Sequence, residues 1–291
     1  MKIMEIRKAQ EKFVSHLSKI GRPKNTSLAY SIDIEQMVDF FESSDIYNLM
    51  QVEAVLVEDF IKSLTNSNYT VKTISRKINS IKTFFKFLNL EGYLKSNPSE
   101  GLKHQKIELK APRILSKLEY RSLRDAARKD VRTFAMVEIL IQTGIRISEL
   151  AEIKTSELSL EGSSTKLSIP FRNSIPAREV PLNKAAVEAI NNYLQERPKI
   201  KSDYLFITKS GNTILIRNIR STIDKYFKEA GVENAKVNDL RHTFVAFHIQ
   251  NGMNLLTLSK ISGHKRLSTT EKYLNYTEAP KISDKEDLAI L

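Results

Sequence analysis

Apolar residues recur at helical spacing along almost the whole chain, and the first hundred residues read as helix throughout. Apolar positions around Phe13 and Leu17 open the pattern, and Leu28, Ile32, Met37, Phe40 and Phe41 continue it over residues 26–41. The clearest stretch is 71–88, where Val71, Ile74, Ile78, Ile81, Phe85 and Leu88 make one stripe behind Thr70, a candidate N-cap. At about 100° per residue, Lys72, Arg76, Lys82 and Lys86 fall together on another stripe of that helix. Such a stripe is commonly just a solvated face; against a phosphate backbone it would position a duplex without reading its sequence. Gly92-Tyr93 and Asn97-Pro98 end this region, so residues 1–102 form one helical domain. The basic, proline-containing stretch 103–113 then reads as a linker.

A second domain is expected over 114–276. Helices are predicted at 116–129, at 131–143 with Gly144 closing it, and at 147–154. Two short strand candidates, 167–171 and 179–182, suggest a hairpin, against which Pro170 and Pro176 count. Helices follow at 183–196, 217–230, 239–250, 254–261 and 268–276. The fold class is therefore mainly α (α+β), with a small antiparallel sheet in the second domain. Residues 277–291 form a charged tail, apolar only at Ile282, Leu288, Ile290 and Leu291.

Composition narrows the chemistry. The chain has 291 residues and no cysteine, which excludes disulfides, thiolate metal sites and a cysteine nucleophile. The five histidines follow no metal-ligand spacing, so no metal or other cofactor is expected. Nothing approaches the roughly 18 apolar residues of a membrane span, and the charged first segment lacks the apolar core of a signal peptide. A cytoplasmic protein is the expectation. Lys plus Arg exceed Asp plus Glu by 46 to 34, a net +12, which favours a polyanionic partner without deciding it.

Three segments of the second domain carry candidate chemistry: TGIRISEL at 143–150, NDLRHTF at 238–244 and SGHKRLSTTEKYL at 262–274. Each has a plain reading by itself. Arg146 and Glu149 could be a surface pair, Asn238 or Asp239 could cap the helix that carries Arg241, and His242 could be packed or exposed. Gly263 would end a helix and leave His264 on a loop, and Ser268 with Glu271 matches a capping box ahead of Tyr273. Together they are what metal-free phosphodiester cleavage needs. Two arginines offer permanent charge and forked donors to phosphate oxygens. Histidine can donate to a phosphate oxygen or handle a proton, and tyrosine can form a covalent intermediate.

At this point the chain resembles the tyrosine recombinases of the integrase and Xer kind. Arg146, Arg241, His264 and Tyr273 match the family's boxes in order, His264 standing nine residues before Tyr273. Phe13, Thr26, Tyr30, Asp33, Phe40 and Asn97-Pro98 resemble the family's core-binding domain. The resemblance implies a two-domain clamp on double-stranded DNA and strand exchange through a 3′-phosphotyrosyl link. It further implies four protomers on two DNA sites, with neither membrane nor small-molecule substrate, and a C-terminal tail docking on a neighbouring protomer. A type IB topoisomerase, or a DNA-binding relative without catalysis, are the alternatives. Two positions depart from the pattern. Asn238 stands where the family has histidine, and the hairpin turn PFRNSIPAREVPL lacks the lysine that protonates the leaving 5′ oxygen. Counting from the first strand puts Arg172 in that place; counting back from the second puts Asn173 there. Lys166 and Lys184 lie at the outer strand ends. Tyr276 competes with Tyr273 from one turn further on, but the spacing from His264 favours Tyr273.

Overall fold

A computed structural model describes residues 4–106, 110–162, 164–172 and 175–277. The chain separates into two compact units, Met1–Leu109 and Lys110–Leu291. In the first, α1 (Ile6–Lys19), α2 (Lys24–Glu42) and α3 (Ala54–Asn66) all pack against α4 (Val71–Leu90). Helix α4 starts where the sequence places it, the Thr70 hydroxyl accepting the Thr73 N–H at 3.3 Å. Its buried face is wider than the six-residue stripe, because Phe84 and Phe87 are buried too, whereas Val71 at the first turn is 39% exposed. Phe13, Phe41, Phe60, Phe84 and Phe85 fill the core. Asp33 is wholly buried on α2, and it accepts hydrogen bonds from Lys77 (2.9 Å), Ser80 (2.7 Å) and Arg76 of α4. That triple contact satisfies an otherwise costly buried charge and fixes the register of the two helices.

The second unit is organised around α6 (Val131–Thr143). Its sequence VRTFAMVEILIQT is apolar nearly all round, as befits a helix with neighbours on every side. It packs against α5 (Lys117–Ala127), α8 (Lys184–Glu196), α9 (Ile216–Glu229) and α10 (Val237–Gln250). Between α6 and α8 come the short α7 (Ile147–Ala151) and a three-stranded antiparallel sheet, β1 (Leu158–Ser159), β2 (Lys166–Ile169) and β3 (Arg178–Pro181), in that order. After α10 the chain forms α11 (Leu255–Ser262), α12 (Ser268–Glu271) and a 3-10 turn, Lys272–Tyr276.

Several local expectations need correction. The first hairpin strand stops at Ile169 and not at 171, because Pro170 has no N–H to continue the ladder; Phe171 is 68% exposed. The two-residue β1 is too short to leave a period in the sequence. Helix α10 starts two residues early, with Lys236 at the N-cap; its N–H is taken by the Asp239 carboxylate at 2.8 Å. Asn238 therefore lies inside the first turn and caps nothing. The capping box at Ser268 and Glu271 does not form either, since the N–H groups of Thr269, Thr270 and Glu271 already bond to the carbonyls of Arg266 and Leu267. At the domain junction, Leu102 is buried in the first core, while Arg113 donates to Glu119 (2.6 Å) and belongs to the second unit. Part of the expected linker, residues 107–109, lies outside the described residues, as do Asn173 and tail residues 278–291. Among the described residues no helix is long and apolar enough to cross a membrane.

Candidate active site

Two glycines bring the loops of the second unit together. Gly144 closes α6 with φ +61, and a Cβ there would lie 2.3 Å from the Phe244 ring of α10. Gly263 closes α11 with φ +66, and a Cβ there would meet the Arg178 guanidinium at 2.7 Å. Both positions need the left-handed backbone and the missing side chain. The first lets the loop bearing Arg146 pack against α10; the second lets the loop bearing His264 lie over β3.

Arg146 is the N-cap of α7, not a free surface residue. Its backbone N–H donates to Glu149 Oε2 (2.8 Å), and its guanidinium donates to the Gly263 carbonyl (2.7 Å) and, more loosely, to Glu149 Oε1 (3.4 Å). Glu149 is buried, contrary to the surface-pair reading. Its main partner is Arg178 at the start of β3, which donates to both carboxylate oxygens (2.9 and 2.8 Å) and to the Ile261 carbonyl (2.8 Å). Burial pushes the Glu149 carboxyl up, but the hydrogen bonds from Arg178 and from the Arg146 backbone outweigh it and hold the group below the usual carboxylate range. One ionised carboxylate thus braces two arginines from different segments.

Arg241 projects from α10 onto the Gly144 carbonyl (2.5 Å) and is only 7% exposed. Burial, then the charge of Arg146, lowers its pKa to about 10, so it stays a cation at neutral pH. One residue along α10, His242 places Nδ1 2.5 Å from the Tyr273 hydroxyl and Nε2 2.7 Å from the Asn238 amide. Asn238 and His242 are four residues apart and share a helix face, which α10's early start makes possible. Tyr273 sits in the 3-10 turn, 6% exposed; burial pushes its hydroxyl up, and Arg241 pulls it partly back. His264 stacks beside Tyr273, ring centroids 6.4 Å apart, with Nδ1 2.7 Å from the hydroxyl of the buried Thr270. Burial and the nearby Arg241, Arg146 and Arg178 charges push His264 down to about 3, leaving it neutral.

The structure therefore gathers Arg146, Arg241, His264, Tyr273 and Asn238. It does not gather Arg172. That guanidinium is held by Glu152 and lies 3.8 Å from Glu157, out along the hairpin. Lys166 is likewise engaged, by Glu179 at 2.7 Å, and Lys184 is exposed on α8. Sequence reasoning missed Arg178, His242 and Thr270. The only signal for His242 was its spacing from Asn238; Arg178 had none, its partner lying 29 residues away. Two clefts flank the cluster, one lined by Arg220, Lys236, Asn238 and Arg241, the other by Arg178, Lys260, His264 and Lys265. Among the described residues no group of three or more His, Asp or Glu could hold a metal ion. In the first unit, Lys72, Arg76 and Lys86 are exposed on α4, Lys82 is half-buried, and Arg76 is drawn to Asp33.

Residues 113–279 match the phage integrase family, and residues 11–92 match the phage integrase N-terminal SAM-like domain. The chain belongs to the tyrosine recombinases of the phage integrase family. It is 30% identical to a tyrosine recombinase of Pseudothermotoga lettingae over 275 residues, 93% of each chain. It is 31% identical to the tyrosine recombinase XerC of Natranaerobius thermophilus, covering 86% of this chain and 87% of the relative. The fold is also similar to a lambda integrase tetramer bound to a Holliday junction, with TM-score 0.74 at 13% identity, covering 90% of this chain and 78% of that one. As a tyrosine recombinase of Xer-like type, it is a site-specific DNA breaking-and-rejoining enzyme.

Proposed function

We propose that this recombinase cuts each strand of duplex DNA with Tyr273, forming a 3′-phosphotyrosyl link and a free 5′ hydroxyl, and rejoins strands by the reverse step. The phenolic oxygen bonds to phosphorus while the bond to the 5′ oxygen breaks, and that oxygen leaves with a proton. Arg146 and Arg241 neutralise the charge that grows on the non-bridging oxygens, held in place before DNA arrives, Arg241 buried and Arg146 half-buried. If the buried Thr270 hydroxyl donates to Nδ1 of His264, Nε2 carries the hydrogen and offers it to a phosphate oxygen. Asn238 offers a further amide donor. Arg172 would serve the leaving oxygen only by exchanging Glu152 and Glu157 for DNA. Lys72, Arg76, Lys82 and Lys86 touch the backbone with the first unit, and four protomers act on two sites; a lambda integrase tetramer bound to a Holliday junction, similar in fold, supports this assembly. The tail from 277 docks on a neighbouring protomer, and the reaction takes place in the cytoplasm. The observation that carries this reading is the convergence of buried Arg241 and Tyr273 with half-buried His264 in one cluster. A nicked suicide duplex, which loses its 5′ end after cleavage, tests it. The wild type should give a covalent adduct on a denaturing gel in excess EDTA and Tyr273→Phe none; an adduct in the variant overturns it.

A further inference from the structure

One contact at the nucleophile has no part in the scheme above. Among the described residues the Tyr273 hydroxyl hydrogen-bonds neither an arginine nor His264 but Nδ1 of His242, at 2.5 Å, and the other ring nitrogen of that histidine is held by Asn238 at 2.7 Å. A phenol that attacks phosphorus must lose its proton, and in a buried place its neutral form is favoured, so an acceptor at hydrogen-bond distance matters. We propose that His242 is the base that takes the proton from Tyr273 during strand cleavage and returns it on rejoining, with Asn238 fixing its ring. This rests on Tyr273 being the nucleophile.

The step balances with solvent water as its only co-reactant. The O–H bond of Tyr273 breaks and its proton moves to Nδ1; the oxygen's electron pair forms the bond to phosphorus while the bond from phosphorus to the 5′ oxygen breaks, and that oxygen leaves as a hydroxyl with a proton from water. When the strands rejoin, the 5′ hydroxyl loses its proton to water and bonds to phosphorus, the bond from phosphorus to Tyr273 breaks, and the imidazolium gives its proton back to the departing tyrosine oxygen. To accept at Nδ1, neutral His242 must carry its hydrogen on Nε2. The Asn238 amide can turn by half a revolution, exchanging Nδ2 and Oδ1 at no cost in shape. With the oxygen toward Nε2 it accepts that hydrogen both before and after the ring is charged. Asparagine cannot itself exchange a proton at neutral pH, so its part is positioning.

The charged surroundings favour a ready base. Asp239 and Arg241 of its own helix act on His242 in opposite senses, Tyr273 faces it from the 3-10 turn, and neutral His264 stacks on the Tyr273 ring from its loop. Burial dominates and pulls the His242 pKa below the ordinary histidine value, so the imidazole is neutral at pH 7. His264, at about 3, is already neutral throughout the range in which His242 titrates.

The test is single-turnover cleavage of the suicide duplex by the full chain from pH 5.5 to 9.5, with wild type, His242→Gln and Tyr273→Phe. Wild-type cleavage should be flat above pH ~6.5, the ordinary histidine pKa. At pH 7 His242→Gln should bind DNA normally and cleave about 100- to 10,000-fold more slowly. Its rate should climb about tenfold per pH unit where the wild type is flat, because hydroxide must now supply the base. A bridging 5′ sulfur, which departs without a proton, should not restore it. The proposal is overturned by a His242→Gln rate within about fivefold of wild type. It is equally overturned by a slow variant that keeps the wild-type pH profile, or by full rescue with the sulfur substrate. Should glutamine impair folding, the wild-type profile decides: a rate still climbing through pH 8 overturns the proposal. An adduct persisting in Tyr273→Phe would instead bring down the nucleophile assignment, and this inference with it.

Discussion

On one side of the site, Glu149 ties Arg178 to the α7 cap and helps fix Arg146, which also reaches the Gly263 carbonyl. On the other, Tyr273 hangs on a 3-10 turn after a four-residue helix, its hydroxyl held by His242. The arginine side is cross-linked through three segments distant in sequence. The tyrosine side is a short run of chain, and 3-10 turns have poorer hydrogen-bond geometry than α-helix. The difference follows from what each must do. Charge that stabilises a transition state works best when oriented in advance, whereas a nucleophile must reach the phosphate, stay bonded to it and withdraw. Damage to the arginine side should therefore lower both stability and rate, and damage to the tyrosine side should lower rate alone.

The largest effect is expected from Tyr273→Phe, which removes the attacking oxygen and nothing else. Adduct formation should vanish while the thermal midpoint and DNA affinity stay at wild-type values; a large drop in midpoint would show that the hydroxyl is part of the scaffold. Next come Arg146→Ala and Arg241→Ala, each slowing single-turnover cleavage by about 100- to 1000-fold. Wild-type rates in either would reduce that arginine to a packing element. Arg178→Ala separates the two sides most sharply. It leaves the Glu149 carboxylate buried without its main partner, and breaking such a pair costs about 3–5 kcal/mol of stability, readable by urea unfolding. A change below about 1 kcal/mol, the worth of an exposed pair, would mean that Glu149 is not held as described.

Acid should weaken the site gradually. His264 and His242 are both held neutral in the fold, with pKa values below the ordinary one. The unfolded chain protonates them near pH ~6.5, so their contribution is intact above that value and is lost as pH falls below it. Thermal midpoints should drop from pH 7 to pH 5, and His264→Asn should flatten the drop; an unchanged slope in that variant would remove His264 from the explanation. The smallest effect belongs to Arg172→Ala. With its guanidinium engaged by Glu152, it should change cleavage by less than about tenfold on normal DNA, well under the worth of a full general acid. A larger loss that a bridging 5′ sulfur repairs would return Arg172 to the leaving-group side.

What the sequence discloses follows the range of the interactions. Arg146, Arg241 and His264 stand next to local markers, a helix-ending glycine or a helix of clear period, but it was the resemblance to the family's boxes that singled them out together with Tyr273. The helical fold of both units was legible from such local markers, down to the Thr70 cap. Arg178 was not, because its meaning depends on Glu149 across the sheet, and a strand-end arginine has no local signature. The choice of Arg172 came from counting along a turn, which cannot foresee that Glu152 and Glu157 lie beside it. His242 was passed over because its role needs two contacts at once, one along its helix and one to a turn 31 residues on.

The central claim is that Tyr273 carries the DNA. Digesting the trapped adduct with protease and nuclease, then sequencing the modified peptide by mass spectrometry, addresses it directly. The nucleotide should be found on Tyr273; finding it on Tyr276, or finding no modified tyrosine, would contradict the account.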